Sequence, residues 1–410
     1  MINNLPNGWK VEKLEELCDF INGFAFKSSD YVDNSNTVSI RMSNIRPNAS
    51  FDYTHNIRYL PDNFAEKYNQ YILEEGDIIV AMTDMGQTMN ILGVPTIVKK
   101  DKNQQINFLL NQRVGKLFNF DKTIVLVDYV KLFMATNYIH NFYKKLGGGG
   151  LQINLSKKDL LSAPILIPPL QQQEKIVKVL DLTSNLIEKQ KELLEKYDLF
   201  LKSKFIEMFG DPITNPMGWE IVKIGNITKL QTGKTPSRQK SEYWENGDIN
   251  WAKTTEVNQS ILTYTEEFIT ELALKECKLI TFPVNTILMA MYGQGKTRGK
   301  VIITKIETAI NQAFGAILPN DTYNSLYLLK VLDLMYQDIR DLARGGNQEN
   351  LNMDIVKNIK IIFPPIELQN KFASIVEKIE TIKEKENQKL KQLEDLHNSM
   401  MNKAFKGEIV

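Results

Sequence analysis

The chain has 410 residues, 43% of them hydrophobic and 24% charged. That length exceeds what one hydrophobic core normally serves and excludes a small stapled fold, so two or more domains are expected. Fifty Lys and Arg against 49 Asp and Glu leave a net charge of +1, so any affinity for nucleic acid has to come from local clusters.

Cys18 and Cys277 lie far apart without metal-ligand spacing, which points to a reducing cytosol and away from a disulfide framework or a zinc site. The polar start after Met1 lacks the basic-then-apolar form of an export signal, and no apolar run approaches the roughly 18 residues of a membrane span. A cytoplasmic protein without membrane contact is expected.

Along the chain, Asn7-Gly8-Trp9-Lys10-Val11 with Leu14 opens a region of short β-branched and aromatic runs broken by Gly, Asn and Asp, the pattern of strands and turns. Ile78 to Met82 is one such run; Asn111-Gln112 is followed by Gly115, and Gly147 to Gly150 lead to Asn154-Leu155. Ile167-Pro168-Pro169-Leu170, with Gln173, then marks a change of period. Ile176, Leu180, Ile187, Leu194, Tyr197 and Leu201 recur at helical spacings, and Leu186, Leu193 and Phe200 widen the stripe. A helix from about Gln171 to Phe205 is predicted, on the order of 50 Å long at 1.5 Å per residue.

The chain then begins again. Met217-Gly218-Trp219-Glu220-Ile221 with Ile224 repeats the opening, and Ile287 to Met291 repeats the strand-like run. Asn311-Gln312 before Gly315, Gly345-Gly346 before Asn350-Leu351, and Phe363-Pro364-Pro365-Ile366 with Gln369 follow in the same order. Phe209-Gly210 has its echo in Phe405, Lys406 and Gly407. A period near 200 residues makes this a tandem duplication of a domain with an appendage, not a solenoid of 20- to 50-residue units. After Pro365, Phe372, Ile375, Ile379, Ile382, Leu390, Leu393, Leu396 and Met400 define a second helical stripe. The two helices either pack on their own domains or pair with each other; their length and matched positions favour antiparallel pairing.

Two loops of the second copy concentrate cations. Gln231 to Arg238, followed by Tyr243-Trp244, Gly247-Asp248-Ile249 and Trp251-Ala252-Lys253, interleaves Lys234, Arg238, Lys240 and Lys253 with aromatics and hydroxyls, although Glu242, Glu245 and Asp248 dilute the charge. Tyr292 to Lys300 carries Lys296, Arg298 and Lys300 without an acid. Its Gly295-Lys296-Thr297 imitates a phosphate-binding loop, but such a loop must open a helix, and Gly299 to Thr304 reads as a strand. Adenine methyltransferases place a polar residue before Pro-Pro; Ile167 and Phe363 stand there instead. His55, His140 and His397 are scattered, so no catalytic constellation is nominated.

Thr232-Gly233-Lys234-Thr235-Pro236-Ser237-Arg238 with Tyr243-Trp244 and Gly247-Asp248-Ile249 resembles the opening of a target recognition domain in type I restriction-modification specificity subunits. Asn154-Leu155-Ser156 through Pro168-Pro169-Leu170-Gln171-Gln172-Gln173-Glu174-Lys175-Ile176, its second-half partner and the closing Lys403 to Glu408 are similar to that family too. The resemblance spans the chain; Asn22 to Ser28 departs from the Gly-Lys-Thr-Pro form, which implies that the halves read different bases.

The resemblance implies an α/β (α+β) fold: two similar mixed α/β target recognition domains, each followed by a long helix, the helices pairing as an antiparallel coiled coil with pseudo-twofold symmetry. The expected divisions are recognition domains at 1–160 and 213–356 and helical spacer regions at 161–212 and 357–410. It further implies a non-catalytic subunit that binds double-stranded DNA at a bipartite target. Two methyltransferase subunits, and nuclease-translocase subunits in the full complex, are the implied partners; S-adenosylmethionine, ATP and magnesium belong to them, and no cofactor is expected here.

For DNA contact the first half offers Lys27, Arg41, Ser43, Asn44 and Arg46, with Thr83 and Gln87 in a later loop. The second offers Lys234, Arg238, Lys253, Tyr292, Gln294, Lys296 and Arg298, with Arg344 and Asn347 in the glycine turn. The competing readings are a stand-alone DNA adenine methyltransferase, which would bind methyl donor by itself, and an assembly module unconnected with DNA.

Overall fold

The computed structural model describes residues 5–409 except 47–48, 86–90, 102–104, 147–151, 259, 294–295 and 344–349. The chain divides into two compact units, Met1–Lys189 with Leu390–Val410, and Gln190–Lys389.

In the first unit, strands Asp19–Asn22, Val114–Phe118, Ile78–Ala81 and Pro95–Ile97 form an antiparallel sheet in that spatial order. A second sheet runs Tyr59–Leu60, Thr37–Ile40, Asn107–Leu110, Ile72–Leu73, with Thr37–Ile40 parallel to Asn107–Leu110. Lys10–Lys13 pairs with Pro164–Ile167, tying the start of the domain to the strand that feeds its long helix.

The second unit repeats this plan. Leu230–Thr232, Phe314–Ile317, Ile287–Ala290 and Val301–Thr304 take the same order, extended by Ile261–Leu262. Glu267–Ile269, Ile249–Ala252 and Ala309–Ile310 form the smaller sheet, with its parallel pair kept. Ile221–Lys223 pairs with Lys360–Ile362 as Lys10–Lys13 does with Pro164–Ile167. Ile78 to Ala81 and Ile287 to Ala290 are buried along their whole length, because each is a central strand covered on both faces.

The prolines at both Pro-Pro pairs lack backbone donors and precede helices Leu170–Phe209 and Ile366–Ala404. A glutamine four residues into each helix seals the joint. Gln173 is fully buried, donates to the Pro168 and Ile124 carbonyls and accepts from the Leu126 amide. Gln369 is equally buried, donates to Pro364 O and accepts from the Asn324 amide. Tyr129 and Tyr327, both buried, donate to the carbonyls of Leu166 and Ile362 just before the prolines.

Each unit also takes the end of a long helix into its core. Phe405 packs edge-on against Tyr129 and Phe133 in the first, and Phe205 and Phe209 pack against Tyr327 and Phe372 in the second. The helices run antiparallel within each unit: Thr183 meets His397 in the first, and Gln190 meets Glu386 and Asp198 meets Lys383 in the second.

The first helix begins one residue earlier and ends four later than its periodicity indicates. Its buried seam is narrower than the expected stripe, with Leu186 41% and Phe200 47% exposed. Two heptad positions in that seam are instead the buried polar residues Thr183 and Gln190. Polar groups there fix register, because sliding the helices would leave them buried and unpaired.

Candidate nucleic-acid interface

The loop after the parallel strand is built alike in both units from different residues. In the first, Arg41 to Asn44 turn so that the Asn44 side chain accepts from the Arg41 amide at 2.8 Å and donates to the carbonyls of Asp52 at 3.0 Å and His55 at 2.9 Å. Asn44 is thus buried and holds the loop. In the second, Glu256 accepts from the Lys253 amide at 2.7 Å and the Glu266 amide at 2.9 Å. Burial raises the Glu256 pKa above its usual carboxylate value, these two amides opposing it.

The charge around these loops differs. Lys253 bridges Glu266 at 2.9 Å and Glu267 at 2.8 Å, and these bonds raise its pKa. Arg238 lies 3.7 Å from the Trp244 ring centroid and 5.1 Å from that of Trp251, and pairs with Glu267 at 2.5 Å. Burial pushes the Glu267 carboxyl up, but Arg238 and Lys253 outweigh it and hold its pKa below the usual range. The expected cations Arg238 and Lys253 therefore sit beside carboxylates of the same unit. In the first unit Arg41 donates to Asn56 O at 2.6 Å, and Arg41, Ser43, Asn56, Ile57 and Arg58 line an open depression of about 430 Å³.

Gly233 explains the opening Thr-Gly-Lys-Thr. A Cβ there would come within 1.8 Å of the Ile310 carbonyl oxygen, and at Gly23 within 2.3 Å of Asn111. Only glycine allows this approach, which seats Lys234 on one side of the Asn311-Gln312 turn and the Phe24 segment on its counterpart. Thr235 donates to the Gln312 side chain at 2.6 Å, and Trp251 Nε1 to Lys234 O at 3.3 Å. Lys234 and Lys27 are exposed.

Among the remaining candidates, Thr83 is buried and donates to Asn154 at 2.7 Å across the Thr83–Met85 and Gln152–Asn154 strand pair. Arg46 reaches Ser43 O at 3.4 Å. Tyr292 is 39% exposed, Lys296 is exposed, and its carbonyl accepts from Tyr336 at 2.6 Å. Arg298 is half-buried, with its Nε buried and without a hydrogen-bond partner. Residues 296–299 form a turn before strand Val301–Thr304, so no helix follows Gly295-Lys296-Thr297 as a phosphate loop requires. Gln87, Gln294, Arg344 and Asn347 lie outside the described residues.

Sequence reasoning missed Glu266 and Glu267 as counter-charges, and Arg58. None carries a landmark of its own, and each comes to the loop from a distant stretch of the chain, beside the strand that pairs with the loop's own.

This duplicated architecture, a domain followed by a long helix and then both again, is shared with known proteins. The family profile described as the type I restriction modification DNA specificity domain matches residues 6–196 and 216–395. The MjaIX specificity subunit of Methanocaldococcus jannaschii is 27% identical over 304 residues, 70% of this chain and 69% of that protein. The EcoR124I/EcoR124II specificity subunit of Escherichia coli is 27% identical over 164 residues, so the match spans only 40% of that protein and 39% of this chain. In fold, the S subunit of a type I restriction-modification system from M. genitalium superposes with a TM-score of 0.56 at 14% identity, covering 98% of this chain and 97% of that one. The chain belongs to the type I restriction-modification specificity family; its part in such a system is DNA recognition, not catalysis.

Proposed function

We propose that this subunit reads a bipartite DNA target, one half-site for each recognition domain, with residues 1–160 and 213–356 as the readers. The helical regions 161–212 and 357–410 set the unread spacer between the half-sites. The observation that carries the reading is one topology presented twice with different loop chemistry: equivalent scaffolds bearing unlike side chains suit two unlike base sequences.

The DNA-facing set comprises Lys27, Arg41, Ser43, Arg46, Thr83 and Gln87 in the first half and Lys234, Arg238, Lys253, Tyr292, Gln294, Lys296, Arg298, Arg344 and Asn347 in the second. Asn44 acts there by shaping its loop. Two methyltransferase subunits dock on the helical regions, and nuclease-translocase subunits join the full complex in the cytoplasm. Exposed Leu182 and Leu186 in one unit and Leu199, Phe200 and Ile206 in the other support apolar docking along the first helix.

The test is to co-express the chain with its methyltransferase in a methylation-free host and map N6-methyladenine by single-molecule sequencing. A bipartite motif with a fixed gap is expected, and exchanging residues 1–160 for those of a relative changes one half-site only. A continuous palindromic motif, or an exchange that alters both half-sites, overturns the assignment.

A further inference from the structure

The strand pairings give the two domains a residue-by-residue equivalence that the sequence does not show. Ile40 lies opposite Leu110, just before Asn111-Gln112, and Ala252 lies opposite Ile310, just before Asn311-Gln312. Arg41 therefore corresponds to Lys253 and Asn44 to Glu256. Val38 pairs with Tyr59 and Asn250 with Phe268, so Arg58 stands where the second domain has Glu267.

That single position inverts the site. In the second domain Glu267, with Glu266, closes on Lys253 and Arg238. In the first, two arginines face the same depression, and no described ion pair reaches either. The Ser43 hydroxyl and Arg41 Nε are buried without hydrogen-bond partners, as is the hydroxyl of Ser39, which lies two residues before Arg41. Burial lowers the Arg41 pKa from its ordinary value and the Arg58 charge lowers it further, while Tyr31 opposes them. Buried donors normally find partners, and two like charges at one depression favour an anion between them.

We propose that Arg41, Ser43 and Arg58 form a docking point for one phosphate of the DNA backbone in the first domain, whereas the equivalent point in the second is closed by its own glutamates. This rests on the DNA-reading assignment above. A phosphate fits better than a base edge because the depression is open and is lined by a serine and two forked cations, the residue types that position a duplex without reading it. A free phosphate ion has the same chemistry, so the source has to be separated by experiment.

The complex of the full chain with its methyltransferase is prepared as wild type and as Arg58→Gln; Arg58 is exposed, so its replacement leaves the core intact. Binding is measured against salt and against duplexes carrying an uncharged methylphosphonate at each backbone position in turn. In the wild type one position in the first half-site weakens binding when neutralised, and in Arg58→Gln that sensitivity disappears. The variant's slope of log affinity against log salt is shallower by about 0.9, one phosphate's worth, and its methylation motif is unchanged.

A changed base in the first half-site would make Arg58 a base reader and overturn the proposal. A phosphate map identical in both proteins would also overturn it, as would thermal stabilisation by inorganic phosphate that needs Arg58 while the methylphosphonate map does not. A wild-type complex without a bipartite motif removes the DNA-reading assignment and this contact together. A bipartite motif whose phosphate map ignores Arg58 removes the contact alone.

Discussion

The two recognition domains share a scaffold and differ in how they treat charge. The second sets Arg238 over Trp244 and near Trp251 and ties Lys253 to two glutamates. The first leaves an exposed Arg58 and a half-buried Arg41 lining one open depression. A duplicated fold thus keeps its buried pairings, because a change there is costly, while exposed positions on the same strands can exchange a cation for an acid. Scaffold residues should respond alike in the two units and loop residues should not.

The largest expected effect is on the scaffold. Phe209→Ala and Phe405→Ala each remove a buried ring from equivalent places, with a loss of about 3–5 kcal/mol in the unit concerned. Chemical denaturation followed by hydrogen exchange would locate the loss, and a unit that tolerates its substitution would break the equivalence. Gly233→Ala should cost about 1–3 kcal/mol, because the new Cβ meets the Ile310 backbone rather than a flexible side chain. Gly23→Ala should behave similarly in the first unit, each read from the thermal midpoint. Gln369→Leu leaves the half-buried Asn324 amide without its glutamine acceptor and should cost about 1–3 kcal/mol, with Gln173→Leu as its counterpart.

The loop differences give smaller effects. Glu267→Gln removes a counter-charge from Lys253 and Arg238, so DNA binding should strengthen at low salt and its salt slope steepen by about 0.9 if one cation reaches a phosphate. An unchanged slope would show that releasing these cations from Glu267 adds no backbone contact. The smallest effect is with pH. Burial lowers the pKa of both His140 and His397, Lys144 adding to it at His140, and all three histidines belong to the first unit. A histidine with a depressed folded-state pKa contributes stability that is full above its unfolded value, near 6.5, and is lost as pH falls from there through the folded value. Unit-resolved hydrogen exchange between pH 7 and 5 should show acid weakening the first unit, and His397→Gln should blunt that response.

The duplication, the change to helical period at the two Pro-Pro pairs, both long helices and the antiparallel pairing were legible in the sequence, because each rests on a repeated order or a period. The helix seam was less so. Thr183 and Gln190 look like solvent residues by composition, and Leu186 and Phe200 look like core, since periodicity cannot tell which apolar flank turns inward. In the loops, residue type pointed to Arg41, Lys253 and Arg238, but not to the fate of their charge. Glu267 neutralises two of them from a neighbouring strand, and a register of that kind follows from pairing, not from local pattern. Asn44 has the side chain of a base reader, yet its amide is used on backbone groups of its own loop.

The glutamines at the helix roots bear on how force moves through the molecule. A joint held by one bond would swivel. Gln173 grips two carbonyls and an amide of its domain, and Gln369 one carbonyl and one amide of the other, so each helix leaves its domain from a bracket of more than one bond. A pull or twist applied along such a helix is delivered to the strand and tyrosine behind the bracket instead of being dissipated in a loose hinge.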